Sequence, residues 1–104
     1  MQRSFVASYR AMEDALPRVT IGANLQRHMP RPTSQVNGAT VGEVLRNMFQ
    51  ADALLGTYVL DEQGRLRKHV NIFLNNASVK DRLRLGDTCQ PGDEIYVFQA
   101  LSGG

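Results

Sequence analysis

Near residue 18 the polar and apolar positions of the chain alternate one by one. Apolar side chains at every second position predict a strand with one buried face. A short second strand is predicted at 33–36, after a polar stretch in which Pro30 and Pro32 exclude a central strand. The first predicted strand spans 18–25, with its buried side formed by Val19, Ile21, Ala23 and Leu25.

The segment 40–51 follows the helical period instead. Thr40 and Glu43 have the spacing of a capping box, in which each side chain satisfies a free backbone amide at the helix start. An apolar stripe of this kind predicts a helix that covers a sheet. The stripe consists of Val41, Val44, Leu45, Met48 and Phe49.

The second half of the chain returns to strand patterns. A long strand is predicted over 66–74, followed by a turn at Asn75-Asn76. Pro91-Gly92 fits the middle of a type II turn, because proline fixes φ and glycine accepts a positive φ. The last strand is predicted over 94–101. This order of elements indicates an α+β fold, a mixed sheet with one main helix packed on one face.

Composition narrows the class of protein. A chain of 104 residues with 42% hydrophobic residues is the size of one compact domain. The net charge of +2, with basic residues scattered among acidic ones, does not indicate nucleic-acid binding. No apolar run reaches the length of a membrane span, about 18 residues. We therefore expect a soluble, cytoplasmic protein that binds neither nucleic acid nor membrane.

The sequence indicates no catalytic site. The single cysteine, Cys89, excludes a disulfide scaffold, and neither His28 nor His69 can be placed beside it as a base. The same three residues lack the spacing of a zinc site, and no phosphate-binding glycine loop is present. We expect no catalytic residue, no metal and no bound cofactor.

The two ends of the chain differ from its middle. Within residues 1–17, apolar positions recur at roughly helical spacing and Pro17 closes the pattern. This N-terminal extension is either an amphipathic helix docked on the domain or a loosely ordered segment. We expect residues 18–101 to form the domain and residues 102–104 to form a flexible tail.

The sequence Leu101-Ser102-Gly103-Gly104 follows the last predicted strand directly. Glycine has no Cβ, so such a tail is thin enough to thread a narrow channel in another protein. A terminal carboxylate is a poor electrophile, but a nucleotide-dependent partner can convert it to an acyl-adenylate that a sulfur donor attacks. Against this, small terminal residues are common and are often disordered without a function.

The last strand also carries a candidate docking surface. Its alternation places Ile95 and Val97 on one face and Tyr96 and Phe98 on the other. If the first pair meets the helix, the two aromatic side chains lie on the open face of the sheet, where they can dock a partner. The N-terminal segment or a second copy of the chain is the competing occupant of that face.

Three segments of the chain resemble the ubiquitin-like sulfur-carrier family, which includes the small subunit of molybdopterin synthase and the thiamin-biosynthesis sulfur carrier. They are Val-Asn-Ile-Phe-Leu-Asn at 70–75, Pro-Gly-Asp-Glu-Ile at 91–95 and Ala-Leu-Ser-Gly-Gly at 100–104. The helix at 40–49 also falls where the family has its helix. Many relatives have a proline just before the tail, where this chain has Gln99-Ala100.

The resemblance implies a β-grasp fold with adjacent, parallel first and last strands. It implies that an E1-like adenylyltransferase uses ATP to adenylate Gly104. A sulfur donor or sulfurtransferase then makes the thiocarboxylate, which serves a downstream sulfur-accepting enzyme. The tail is formed by Leu101, Ser102 and Gly103, and the predicted docking patch consists of Phe98, Tyr96 and Phe73.

Two other functions remain open at this point. A ubiquitin-like modifier would be joined to lysines through Gly104, and a plain binding module would insert its tail into a larger enzyme. The sequence does not name the pathway that would receive the sulfur.

Overall fold

The computed structural model describes residues 16–26 and 33–100. The predictions for residues 1–15 and for the tail at 101–104 fall outside these ranges. The elements are β1 (Arg18–Ile21), α1 (Ala23–Gln26), β2 (Thr33–Gln35), α2 (Val41–Ala51), α3 (Ala53–Val59), β3 (Val70–Leu74), β4 (Ala77–Ser78) and β5 (Glu94–Gln99).

The strands form one mixed sheet in the order β2-β1-β5-β3-β4. β1 and β5 are parallel, with Arg18 opposite Glu94 and Ile21 opposite Val97. The other three strand pairs are antiparallel. The expected adjacency of the first and last strands is therefore confirmed, and the strand that leads to the tail lies in the middle of the sheet.

One face of the sheet forms the core together with α2 and α3. The strand side chains on this face are at most 2% exposed, and each such apolar side chain contributes about 1.5–3 kcal/mol by burial. The stripe predicted for α2 is confirmed except that Phe49 is only partly buried. The core-facing strand residues are Val19, Ile21, Val70, Ile72, Ile95 and Val97.

The start of α2 has the predicted cap, with one difference. Thr40 Oγ1 accepts a hydrogen bond from the Glu43 amide at 3.1 Å. The Glu43 carboxylate accepts from the amide of Ala39 at 3.3 Å, one residue before the amide that a capping box uses. Both side chains still satisfy backbone donors at the helix start.

The prediction of a strand through Leu25 was wrong. β1 ends at Ile21, and the Leu25 amide donates to the carbonyl of Gly22 at 3.0 Å in the single helical turn of α1. Leu25 is nevertheless buried, because the turn of α1 brings its side chain into the hydrophobic core. The burial of Leu25 is therefore compatible with both the predicted strand and the observed helical turn.

The helix α3, which follows α2 directly, was not predicted. It begins at the cap residue Asp52, whose Oδ1 accepts from the Leu55 amide at 3.2 Å, and it buries Leu55 and Val59. The strand predicted from residue 66 begins at Val70, and Leu66 forms only an isolated bridge with Leu60. Within the described ranges, no helix has the length and apolar character needed to cross a lipid bilayer.

Candidate functional site

The open face of the sheet carries the aromatic side chains of the two central strands. In β5, Ile95 and Val97 are fully buried on the helix side, whereas Tyr96 is 39% exposed. Phe73 of β3 lies directly opposite Tyr96 in the antiparallel register and is 38% exposed. The alternation predicted for the last strand is therefore confirmed.

Phe73, Tyr96 and Phe98 form one cluster, which we call the aromatic patch. The rings of Phe73 and Phe98 have centroids 5.3 Å apart and an interplanar angle of 89°. Tyr96 and Phe98 are 5.1 Å apart at 83°. These edge-to-face contacts fix the rings against one another while leaving two of them accessible. The structure thus brings together all three residues of the predicted docking patch.

Gly22 makes room for the aromatic patch, and the sequence did not indicate this role. A Cβ on Gly22 would lie 2.7 Å from Phe98 Cβ and 3.3 Å from the Tyr96 hydroxyl oxygen. The Gly22 amide donates to the Val97 carbonyl at 2.7 Å, which holds the two backbones together. The available signal was a glycine inside the strand predicted over 18–25, which is typical of a close backbone approach.

Polar side chains border the aromatic patch on the side of β1. Arg18 and Glu94 are an exposed ion pair at 3.8 Å, and the Thr20 and Thr33 hydroxyl oxygens are 3.4 Å apart. Apolar residues surrounded by such a polar rim are typical of a protein–protein interface.

The sheet holds the chain as far as Ala100. Gln99 pairs with Val70, and the Ala100 amide donates to the His69 carbonyl at 2.8 Å. The tail residues Leu101, Ser102, Gly103 and Gly104 lie outside the described residues. A four-residue extended segment reaches at most about 14 Å. The tail therefore begins three residues after Phe98, next to the strand that carries the aromatic patch.

Cys89 is 6% exposed and belongs to the hydrophobic core. Burial, with a smaller contribution from the negative charge of Asp93, raises the pKa of the Cys89 thiol to about 11. A thiol with such a pKa carries little of the thiolate that nucleophilic chemistry requires. His69 lies at the base of the tail, and His28 falls outside the described ranges. Across 16–26 and 33–100, no three His, Cys, Asp or Glu side chains are placed to hold a metal ion.

Comparison with known proteins identifies the family. The family model of the ThiS family matches residues 26–104. Small archaeal modifier protein 1 of Haloferax volcanii is 33% identical over 66 residues, which cover 64% of this chain and 71% of the relative.

Solved structures have the same fold. The crystal structure of SAMP1 from Haloferax volcanii superposes with a TM-score of 0.74 at 28% identity, covering 85% of this chain and 98% of that one. A chain in the BexX/CysO complex of Amycolatopsis orientalis gives a TM-score of 0.74 at 24% identity, covering 85% and 99%. At that lower identity the likeness shows the β-grasp fold alone. The order of strands in the sheet is consistent with the family match. The chain belongs to the ThiS family of ubiquitin-like sulfur-carrier and modifier proteins.

Proposed function

We propose that the chain is a sulfur-carrier protein whose reactive group is the C-terminal carboxyl of Gly104. The observation that carries this proposal is the position of Ala100, the residue before the tail. Ala100 follows the central strand of the sheet, which also carries part of the exposed aromatic patch, in a chain of the ThiS family.

The proposed chemistry has two steps. A carboxylate oxygen of Gly104 attacks the α-phosphate of ATP on an E1-like adenylyltransferase, and pyrophosphate leaves. A sulfide-class donor, supplied by a sulfurtransferase, then attacks the acyl carbon, so AMP leaves and a thiocarboxylate remains. The chain is a protein co-substrate in this scheme and not an enzyme. It binds no cofactor, and the ATP belongs to the activating partner.

The geometry supports this scheme because the folded domain offers a surface for docking, while the chemistry takes place on the separate tail. The aromatic patch gives a partner apolar surface to bury, and aromatic side chains are enriched in the energetically dominant part of interfaces. The hydrogen bond from Ala100 to His69 fixes where the tail begins. A docked partner therefore meets the tail at a defined place. A downstream enzyme in the cytoplasm would collect the sulfur by the same route.

Intact-mass spectrometry tests the proposal. The untreated protein is measured first, which establishes whether Gly104 is its terminal residue. After incubation with an E1-like adenylyltransferase from the same genome, ATP and sulfide, the mass should rise by about 16 Da as oxygen is replaced by sulfur. The rise should require ATP.

The matched control is a variant lacking Gly103 and Gly104. It keeps every described residue, so it should fold normally and show no mass change. A wild-type protein that gains no mass with such an enzyme, or a truncated variant that gains the same mass, contradicts the proposal.

A second function, conjugation of Gly104 to lysine side chains, is favoured by one observation. The relative that is 33% identical is named as a small archaeal modifier protein. Activation by ATP would be common to both functions, and only the acceptor would differ. Immunoblots of cell extracts decide between them: a ladder of conjugates that disappears in the truncated variant, without a thiocarboxylate, supports the modifier.

A further inference from the structure

A groove beside β3 brings three basic side chains from 65–68 together with a fourth, Arg82, from the segment after β4. We call it the basic groove and define it by Arg65, Arg67, Lys68 and Arg82, with Asp61 as the carboxylate among its described lining residues. Its volume is about 790 Å³, which is room for several side chains of a partner. The local excess of three positive charges exceeds the net charge of +2 for the whole chain.

Neutral acceptors hold two of these cations without cancelling their charge. The Arg82 guanidinium donates to the carbonyls of Val70 at 2.9 Å and Arg67 at 3.3 Å. Arg67 Nε donates to the Thr57 carbonyl at 2.8 Å. Because carbonyl groups carry no net charge, these hydrogen bonds do not compensate the charges of the two guanidinium groups. The hydrogen bonds also order both groups in advance, which lowers the entropy cost of binding an anion.

The two remaining cations differ from each other. Arg65 forms an ion pair with Asp61 at 3.2 Å, so its charge is largely compensated. The Lys68 side chain is exposed, and it has no hydrogen bond or ion pair with any residue in the described ranges. Lys68 is therefore the side chain in the basic groove that is most available to a partner.

The basic groove adjoins both the start of the tail and the aromatic patch. His69, next to Lys68, accepts the hydrogen bond from Ala100 through its carbonyl. Asn71, another lining residue, lies opposite Phe98 in the sheet. A protein that covers the aromatic patch and receives the tail is thus brought into contact with the basic groove.

We propose that the basic groove receives carboxylate side chains of the protein that accepts the tail. This rests on the proposed function, and it adds that the activating enzyme carries acidic residues beside the entrance to its channel. A protein surface fits better than a nucleic acid, because the lining also includes Leu83, which is 68% exposed, and continues into aromatic rings. Such a mixture of apolar and charged contacts matches a protein interface, whereas phosphate backbones need mainly cations.

Charge complementarity at this place accelerates encounter and is screened by salt. The test is Lys68→Glu in ATP–pyrophosphate exchange with the E1-like adenylyltransferase used above. In about 20 mM salt the KM for the carrier should rise roughly tenfold, with kcat unchanged. In about 500 mM salt the difference should shrink to less than about twofold. Lys68→Arg should keep the wild-type KM.

The other lysine of the chain provides the matched control. Lys80 lies outside the basic groove, next to Asp81 and Asp87. Lys80→Glu makes the same change in net charge, and its KM should stay within about twofold of wild type. Equal effects of the two reversals, or an unchanged KM for Lys68→Glu, overturn the proposal.

Direct binding, measured by calorimetry without ATP, separates this proposal from the proposed function. Salt-sensitive binding that is lost in Lys68→Glu, with no exchange activity in the wild type, leaves the basic groove supported and the proposed function contradicted. If the wild type shows exchange activity, and Lys68→Glu changes neither that activity nor the binding, the proposed function is supported and the basic-groove proposal is contradicted. A wild-type protein that does not bind the enzyme at either salt concentration overturns the docking proposal.

Discussion

Phe98 connects the other two rings of the aromatic patch, since both Phe73 and Tyr96 meet it edge to face. Phe98 is itself partly covered, so the accessible surface is offered mainly by its two neighbours. A partner would therefore contact rings whose orientations are already fixed. We therefore expect Phe98 to support the other two rings, and Phe73 and Tyr96 to contact the partner.

Phe73→Ala should weaken docking more than it weakens folding. The ring is 38% exposed, so its loss removes only part of a buried contact within the domain. A central aromatic side chain of an interface contributes about 2 kcal/mol or more to binding, so the KM for the carrier should rise at least about tenfold. ATP–pyrophosphate exchange with the adenylyltransferase measures this change.

Leu54→Ala is the control for that prediction. Leu54 is 58% exposed on α3, away from the strands that carry the aromatic patch. Removal of this apolar side chain, which is more exposed than Phe73, should leave the KM within about twofold. Equal losses for Phe73→Ala and Leu54→Ala would show that the aromatic patch has no special role.

Gly22→Ala should destabilise the domain. The added Cβ would lie 2.7 Å from Phe98 Cβ and 3.2 Å from Phe98 Cα, so the backbone of β1 or β5 must move. Overpacking of this kind costs about 1–3 kcal/mol in the free energy of unfolding, which urea denaturation measures. Glu62→Ala, at an exposed turn, should change it by less than about 0.5 kcal/mol. A Gly22→Ala protein as stable as wild type would contradict the close packing.

Among the elements, the segment that follows β4 depends on two carboxylates. Asp87 accepts hydrogen bonds from the amides of Lys80 and Asp81 at 2.8 and 2.9 Å. Asp81 in turn accepts from the amides of Arg84 at 2.9 Å, Gly86 at 3.1 Å and Leu83 at 3.2 Å. This network orders an irregular segment in which Leu85 adopts a positive φ of 55°. The same segment carries Arg82 into the basic groove.

Acid should loosen this segment before the sheet unfolds. The Arg84 amide, followed by those of Gly86 and Leu83, holds the pKa of the Asp81 carboxyl below its ordinary value of 3.8. Because the folded pKa is depressed, the stabilisation is complete above pH 3.8 and is lost as the pH falls through the folded pKa. Hydrogen-exchange protection of the Arg84 and Gly86 amides, followed by NMR from about pH 6 to about pH 2, should decrease only below pH 3.8.

Asp81→Asn supplies the comparison. Its amide nitrogen cannot accept a hydrogen bond, so protection at Gly86 should already be low at neutral pH and should change little with acid. Glu62→Gln, at an exposed turn, should behave as wild type. If the pH profile of hydrogen-exchange protection in Asp81→Asn equals that of the wild type, titration of Asp81 is not the cause of the loss of protection.

The elements that could be predicted from the sequence are those with a long, unambiguous period. The stripe of α2 extends over 11 residues, and the two-residue alternation of β5 repeats three times in 6 residues; both predictions were confirmed. The helix α3 has only 7 residues, too few for a period to show, and it depends on Asp52 as its cap. At the end of β1, Leu25 fits a strand and a helical turn equally well, and the close approach of Gly22 to Phe98 requires three-dimensional information.

For the whole molecule, the aromatic patch could be predicted and the basic groove could not. Tyr96 and Phe98 lie on one strand, so their shared face follows from the alternation of that strand alone. Three cations of the basic groove lie within 65–68, shortly after the acidic residues Asp61 and Glu62, and the fourth, Arg82, follows Asp81. The chain path through β3 and β4 brings Arg82 to the other three, whereas sequence order suggested a mixed surface.

The single cysteine offers a probe of the complete domain. Cys89 is buried and the pKa of its thiol is raised to about 11, so at pH 8 only about one thiolate in a thousand is present. Labelling with a disulfide reagent should be at least about 100-fold slower in the native protein than in guanidinium, and its rate should follow opening of the core. Cys89→Ser gives the reagent blank. Equal rates in the two states would contradict the burial.

The pairing of the first strand with the last also has a consequence for protein synthesis. β5 inserts between β1 and β3, so the sheet stays split until β5 has left the ribosome. Contacts between positions as distant as 18 and 94 also form slowly, because a long loop must close. A chain that is cut short before β5 would then expose the core-facing residues of β1 and β3 to proteases.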